Sequence, residues 1–364
     1  MLTVLTRARM VCLSAAATFL AGTGLVAAVT PTPYVVTPLT SNVSGTGAYT
    51  DPNLVNAWGL VRGPSGPWWI AAGGSGTTLV YDGTGNAGKM PLILAVQGPA
   101  GSSGPGLPSG LALNPTGDFQ VTPGNPAALL VASASGTINA YNPMVSAGHA
   151  VAKVDNSGNG ASYTGVALAS AKGNNLLYVA NFGCGCIDVF NKNFVSVTLP
   201  SGSFTDPMVP AGYAPFNIQN LNGLLFVTYA QKDAATGMPV AGAGFGFVTA
   251  YKTDGTLVRR LQHGPWFNAP WGLAQAPAAN FGSASGLILV GNYGSGNVIG
   301  FDPTTGAATA ILTDSTNAPI AIDGLWGIGF GNDATAGPST SLYFASGPGA
   351  GTQGLFGTVT VAQQ

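Results

Sequence analysis

Apolar residues fall along this chain in short runs, each bounded by glycine, proline, asparagine or serine. Such runs predict many short buried strands joined by tight turns. Three patterns then recur in a fixed order. The first sets a small or aromatic residue before glycine and an apolar strand: Trp58-Gly59-Leu60, Ser109-Gly110-Leu111, Thr164-Gly165-Val166, Trp271-Gly272-Leu273 and Trp326-Gly327-Ile328. Phe216-Asn217-Ile218 fills the one gap, with asparagine in the glycine place. The steps between the second residues are 51, 55, 52, 55 and 55, which marks a repeat architecture.

The second pattern is an apolar strand ending in small residues, as in Trp69-Ile70-Ala71, Leu130-Val131-Ala132, Tyr178-Val179-Ala180, Phe226-Val227-Thr228, Leu289-Val290-Gly291 and Tyr343-Phe344-Ala345. After a Gly-rich loop comes the third, a strand ending in an aromatic residue, usually with Asp or Asn: Tyr81-Asp82, Tyr141-Asn142, Phe190-Asn191, Tyr251-Lys252 and Phe301-Asp302. A weaker fourth strand closes most units, for example Leu257 to Leu261 and Ala307 to Leu312. The expectation is therefore an all-β fold, a six-bladed β-propeller with four antiparallel strands per blade. The blades fall at about 53–100, 101–155, 156–205, 206–262, 263–315 and 316–364, within one domain over 29–364. The last unit stops after its third strand, at Gly354 to Val361, whereas the apolar segment Tyr34 to Leu39 has no blade of its own. An open outer edge invites aggregation, so this N-terminal strand is expected to close the ring.

Composition agrees with many strands and turns. A chain of 364 residues ordinarily suggests two domains, but repeats add core unit by unit. Glycine (55) and proline (26) make up more than a fifth of the residues, yet 46% are hydrophobic, unlike a disordered chain. Charged residues are only 6%, every acid is an aspartate, and the net charge is −1. Eleven Lys plus Arg supply no basic stripe for nucleic acid. Residues 1–28 read as a signal peptide: Arg7 and Arg9, an apolar stretch from Met10 to Val26, then Val26-Ala27-Ala28 as a cleavage pattern; a transmembrane anchor is the alternative, disfavoured by Gly22 and Gly24. Cys12 lies in that stretch without a lipobox. A secreted or periplasmic, monomeric protein with no membrane span in its mature part is expected.

In a propeller the first strand of each blade lines the central channel. The residues before the recurring Gly or Asn then form a ring: Trp58, Ser109, Thr164, Phe216, Trp271 and Trp326. Closure puts the four aromatics on contiguous blades, facing Ser109 and Thr164. The arc reads either as core wedged between blades or as a stacking platform for a flat ligand. Asn56, Asn268 and Asp323 stand a few residues earlier, as turn caps or as polar contacts to that ligand. Cys184-Gly185-Cys186 is a candidate disulfide, with a soft-metal pair or free thiols as alternatives. His149 and His263 are too distant in sequence for a His-rich zinc centre. Asp82 and Asp302 recur in register and read as turn caps. The loop Gln231 to Gly244 is the longest insertion between second and third strands and is a candidate lid or a tolerated surface loop. No catalytic residue, metal or cofactor is assigned.

The segments Asp51-Pro52-Asn53-Leu54-Val55-Asn56-Ala57-Trp58-Gly59-Leu60, Ala211 to Asn220, Asn268-Ala269-Pro270-Trp271-Gly272-Leu273, Ile322 to Gly327 and Gly354-Leu355-Phe356-Gly357 carry a resemblance over roughly residues 34 to 361. The chain resembles an uncharacterised family of secreted bacterial NHL-like β-propeller proteins, met in genomes with PEP-CTERM sorting systems. It departs from that family in the acid-poor loop Gln231 to Gly244 and in Cys184-Gly185-Cys186, which replaces a polar turn. The resemblance implies a propeller fold and export, and no activity. The functional expectation is a non-enzymatic binding or scaffold protein whose channel face engages a glycan, a matrix polymer or an envelope or matrix partner protein. The rival is an extracytoplasmic hydrolase or lyase acting on a polymeric or lactone substrate at the channel mouth; scarce titratable groups favour the former.

Overall fold

Each recurring pattern in the sequence becomes one strand of an antiparallel set. A computed structural model describes residues 32–88 and 92–363. The signal-peptide reading of 1–28, with Cys12, lies outside the described residues. Four strands, Ala57–Arg62, Trp68–Ala72, Thr77–Tyr81 and Ile93–Val96, make the first set. The second is Pro108–Leu113, Leu129–Ser133, Thr137–Tyr141 and His149–Asp155. The fourth starts at Tyr213–Leu221 and ends at Leu257–Arg260; the fifth starts at Pro270–Gln275 and ends at Ala308–Ile311. Among the described residues, no helix is long and apolar enough to cross a membrane.

Two features depart from four separate strands per unit. The outer strands of the first two sets pair in parallel, His149 opposite Ala95 and Ala150 opposite Val96, so these sets merge into one eight-stranded sheet. The third set holds only Tyr163–Ala171, Asn174–Asn181 and Cys186–Asn191. After Asn191 the chain turns at Phe194, whose φ of +62° lets its ring pack on Phe119 at 5.5 Å. That inward turn draws the backbone off the sheet edge after little more than one bond, Val197 N–H to Val189 O at 2.8 Å.

The sixth set is built from two distant stretches of the sequence. Leu325–Phe330, Leu342–Ser346 and Leu355–Val361 are followed on the outer edge by Tyr34–Ser41, which runs antiparallel to the last strand from Tyr34–Val361 to Ser41–Leu355. Tyr34 also reaches the fifth set, its hydroxyl donating to Phe281 O at 3.0 Å and its ring packing on Phe281. Burial pushes the pKa of this phenol up.

The first strand of every set touches the first strand of the next, and that of the sixth touches that of the first. Their approach explains the recurring glycine. A Cβ at Gly110 would stand 2.8 Å from Gly165 Cα, and one at Gly327 would stand 2.8 Å from Trp58 O. Gly59, Gly165 and Gly272 face the next strand's backbone just as closely. Glycine therefore makes room for the backbone of the neighbouring strand. Asn217 is the exception that shows the rule. Its Nδ2 donates to Trp271 O at 2.8 Å and its Oδ1 accepts from Ile218 N at 2.8 Å, so the side chain bridges to the fifth set.

Two outcomes test these contacts. A chain beginning at residue 44 lacks the closing strand; it should lose its cooperative melt or aggregate, since the edge of Leu355–Val361 is bared. Gly110→Ala should cost about 1–3 kcal/mol in denaturant unfolding by overpacking, whereas Gly117→Ala, with open space around it, should leave the midpoint nearly unchanged.

Candidate functional site

The residues before the recurring glycines lie where the ladder between first and second strands is interrupted. Register shifts occur there in all six sets, for example between Ala57 and Leu60, Tyr163 and Gly165, and Pro270 and Gly272. A bulge bends the strand and re-aims the side chain it carries. Here the aromatic side chains converge. Trp58 stacks on Trp326 at 4.1 Å and lies 6.4 Å from Trp271; Trp271 meets Trp326 edge-on at 6.1 Å, and Phe216 meets Trp326 at 5.6 Å. Phe216, Trp271 and Trp326 are almost fully buried, whereas Trp58 is half-buried.

The predicted arc is thus an aromatic plug more than an open platform. Trp271 Nε1 donates to Thr164 O at 3.1 Å, tying the fifth set to the third. Ser109 and Thr164 are buried too. Ser109 Oγ donates to Tyr163 O at 2.6 Å, while Thr164 Oγ1 faces Ala180 O at 3.5 Å. Two members were missed in the sequence: Tyr293, stacked on Trp326 at 4.1 Å, and Phe182, 5.0 Å from Phe216. Their signal was present as Asn181-Phe182-Gly183 and Asn292-Tyr293-Gly294, the same triplet type after the second strand of two sets. Burial and the nearby Asp323 charge push the pKa of the Tyr293 phenol up.

The polar candidates hold loops around the plug. Asn56, at φ +50°, accepts from Trp326 Nε1 at 3.2 Å. Asn268 Oδ1 accepts from Gly242 N at 2.7 Å and so anchors the loop Gln231 to Gly244. Lys232 ties the other end of that loop to Gly183 O at 2.5 Å. Asp323 is exposed and accepts from Gly349 N at 3.0 Å. Trp58 Nε1 is buried without a hydrogen-bond partner, an orphan donor in a cluster otherwise satisfied.

Beyond the plug, toward the far ends of the first strands, lies a cavity of about 250 Å³. Its wall is Leu60, Val61, Leu111, Val166, Ile218 and their neighbours, with Asn217, Gln219 and Asn220 as polar side chains and no acid, base or thiol among its lining residues. His149 and His263 are exposed, and His263 stacks on Phe247 at 4.5 Å. Asp82 and Asp302 cap their turns: Asp302 Oδ1 accepts from Thr304 N at 2.8 Å and from Thr305 N at 2.6 Å. Cys184 and Cys186 are joined as a disulfide, Cα to Cα 5.4 Å, in the turn beside Phe182.

No family model matches the chain. It is 33% identical over 306 residues to the uncharacterised protein R648 of Acanthamoeba polyphaga mimivirus, covering 82% of this chain and 74% of that one. To the uncharacterised protein L690 of the same virus it is 31% identical over 334 residues, covering 89% and 85%. These relatives overturn the resemblance to secreted bacterial PEP-CTERM-associated proteins. Among solved structures it is similar to virginiamycin B lyase from Staphylococcus aureus (TM-score 0.50, 13% identity, 90% of this chain and 100% of that one). A catalytically inactive histidine-to-alanine variant of that lyase with quinupristin gives 0.52 at 10% identity, with 90% and 100% covered. A Bacteroides thetaiotaomicron protein of unknown function gives 0.53 at 11%, with 90% and 76% covered. The fold is all-β and that of the β-propellers.

Two predictions follow from the plug and the turns. Trp326→Ala should lower unfolding free energy by ~3–5 kcal/mol, because it empties the centre of the cluster. The turn carboxylates of Asp155, Asp233, Asp254, Asp302, Asp314 and Asp333 are held below the usual aspartate range by local hydrogen bonds. Their folded values are depressed, so their contribution is present above the unfolded pKa and lost as pH falls. Thermal midpoints should therefore be level above about pH 5 and drop below about pH 4.

Proposed function

We propose that this chain, which belongs to one family with the uncharacterised mimivirus proteins R648 and L690, is a binding propeller that presents the plug face to a glycan. The observation that carries this reading is the three-ring stack Trp58–Trp326–Tyr293, whose outer rings are half-buried while the central one is sealed. Partly exposed aromatic edges beside amide and carboxylate groups suit a sugar, which offers apolar C–H faces and a rim of hydroxyls. Asn56 stands beside this stack and Asp323 lies near Tyr293. The six strand sets are read as six blades of one ring, the third with three strands. The cyclic contact of the first strands and the pairing of Tyr34–Ser41 with Leu355–Val361 support that count. Export by residues 1–28 and a monomeric state belong to the same proposal.

A lyase reading draws only on the shared fold. The staphylococcal lyase is inactive when one histidine is replaced, and the two histidines of this chain lie outside the lining of the central cavity. Acid–base chemistry needs a titratable group within reach of the reacting atoms, which favours binding. The test is a glycan array with wild-type protein, Trp58→Ala and Tyr293→Ala. The expected result is a defined set of bound glycans lost in both variants, with Tm within about 3 °C of wild type for Tyr293→Ala. Glycan binding unchanged in both variants, or no binding by the wild type, would sink the proposal.

A further inference from the structure

The Cys184–Cys186 pair is chemically lopsided. Cys184 is exposed, whereas Cys186 is half-buried at the start of the strand Cys186–Asn191. Asp188 Oδ1 lies 3.5 Å from Cys186 Sγ. The carboxylate is fixed there, because its Oδ2 accepts from Tyr163 Oη and from Asn181 Nδ2, both at 3.0 Å. On the other side, the Lys232 ammonium is bound to the carbonyl of Gly183, the residue before Cys184. The sulfur open to an incoming thiolate is therefore the exposed Cys184, since the carboxylate next to the half-buried Cys186 repels an anion approaching that side.

The disulfide also has little structural work. It closes a loop over the single residue Gly185, and the entropy a cross-link removes from the unfolded chain shrinks with loop length. The turn is held without it. Gly185 N donates to Asn181 O at 3.0 Å, Cys184 N to Asn181 Oδ1 at 3.3 Å, and Phe182 N to Ser162 O at 2.8 Å.

We propose that Cys184–Cys186 is a thiol–disulfide exchange site for low-molecular-weight thiols, with Cys184 as the sulfur attacked. An external thiolate bonds to Cys184 Sγ while the Sγ–Sγ bond breaks. Its electron pair goes to Cys186 Sγ, which takes a proton from water and donates its S–H to Asp188. A second thiolate then attacks the external sulfur of the mixed disulfide, and Cys184 leaves as a thiolate that is protonated from water. In sum, two external thiols are oxidised to one disulfide and the protein disulfide is reduced to two thiols; with a disulfide reagent the same steps run backwards. Asp188 acts as a positioning residue: it accepts the S–H of the released Cys186 and keeps an external thiolate off that sulfur.

The experiment uses the full chain with Cys12→Ala throughout, alone and with two single variants, each reduced and exposed to oxidised glutathione, with mixed disulfide followed by intact mass. Cys186→Ser should be glutathionylated at Cys184 at least about tenfold faster than Cys184→Ser is at Cys186. In the Cys184→Ser background, Asp188→Asn should speed iodoacetamide alkylation of Cys186 at neutral pH. Reduction of the wild type by dithiothreitol should leave the Tm within about 2 °C. Equal glutathionylation rates, or a disulfide that yields only in denaturant, would overturn the assignment. So would reduced protein that retains stoichiometric zinc on Cys184, Cys186 and Asp188 and forms no mixed disulfide.

Discussion

The crowding of the first strands around the centre is the constraint from which the rest of the structure follows. Where Gly110 passes Gly165, and Gly327 passes Trp58, there is no space for a Cβ. Glycine satisfies the space but weakens a strand and carries no side chain to pack. The ladder answers with a register shift at the same place in every set. That shift frees the preceding residue from the sheet pattern and sends its side chain over the end of the channel. The plug and the recurring glycine are thus two results of one close approach.

This linkage explains what was legible in the sequence. The spacing of the glycine motifs located all six first strands, because the steric demand repeats with the units. The stray apolar segment Tyr34 to Leu39 pointed to the partner of the last strand, which the structure extends to Ser41. Curvature was not legible. Whether Trp326 faces solvent or a neighbouring ring depends on how far each bulge tilts its strand, and no local pattern encodes that angle. Phe182 and Tyr293 escaped notice for a related reason: they enter the plug from turns of two sets, so their shared triplet gains meaning only once the sets are in place. The missing fourth strand of the third set was hidden behind Val195-Ser196-Val197, a segment of strand-like composition that Phe194 pulls out of line.

Scarce charge leaves its own mark on the fold. Among the described residues one ion pair is formed, Arg260 Nε to Asp206 at 2.7 Å, and Thr249 donates to the same buried carboxylate at 2.6 Å. Elsewhere aspartates and asparagines turn back on their own loops, as Asp82 does to Thr84 and Asn191 to Val195. Side chains of this kind satisfy turn amides that would otherwise need water. A protein built this way spends its carboxylates on turn geometry, and few remain for chemistry at a common site.

The sealed channel also bears on function. The ring of residues before the recurring Gly or Asn reads from the sequence as a lining of the channel, and here its centre is filled by Trp271 and Trp326 at 5% exposure. The proposed recognition on this side therefore uses the outer surface of the plug, where Trp58 and Tyr293 are half-buried. Burying the central rings costs the protein a pocket and gives it a rigid floor, since each outer ring stacks at 4.1 Å on the same fixed indole. A floor of that stiffness lowers the ordering entropy a ligand must offset on binding. Phe216, Trp271 and Trp326 of the arc are core, and Trp326 holds Trp58 and Tyr293 half-buried at its two faces; in the proposed reading those two outer rings are the platform.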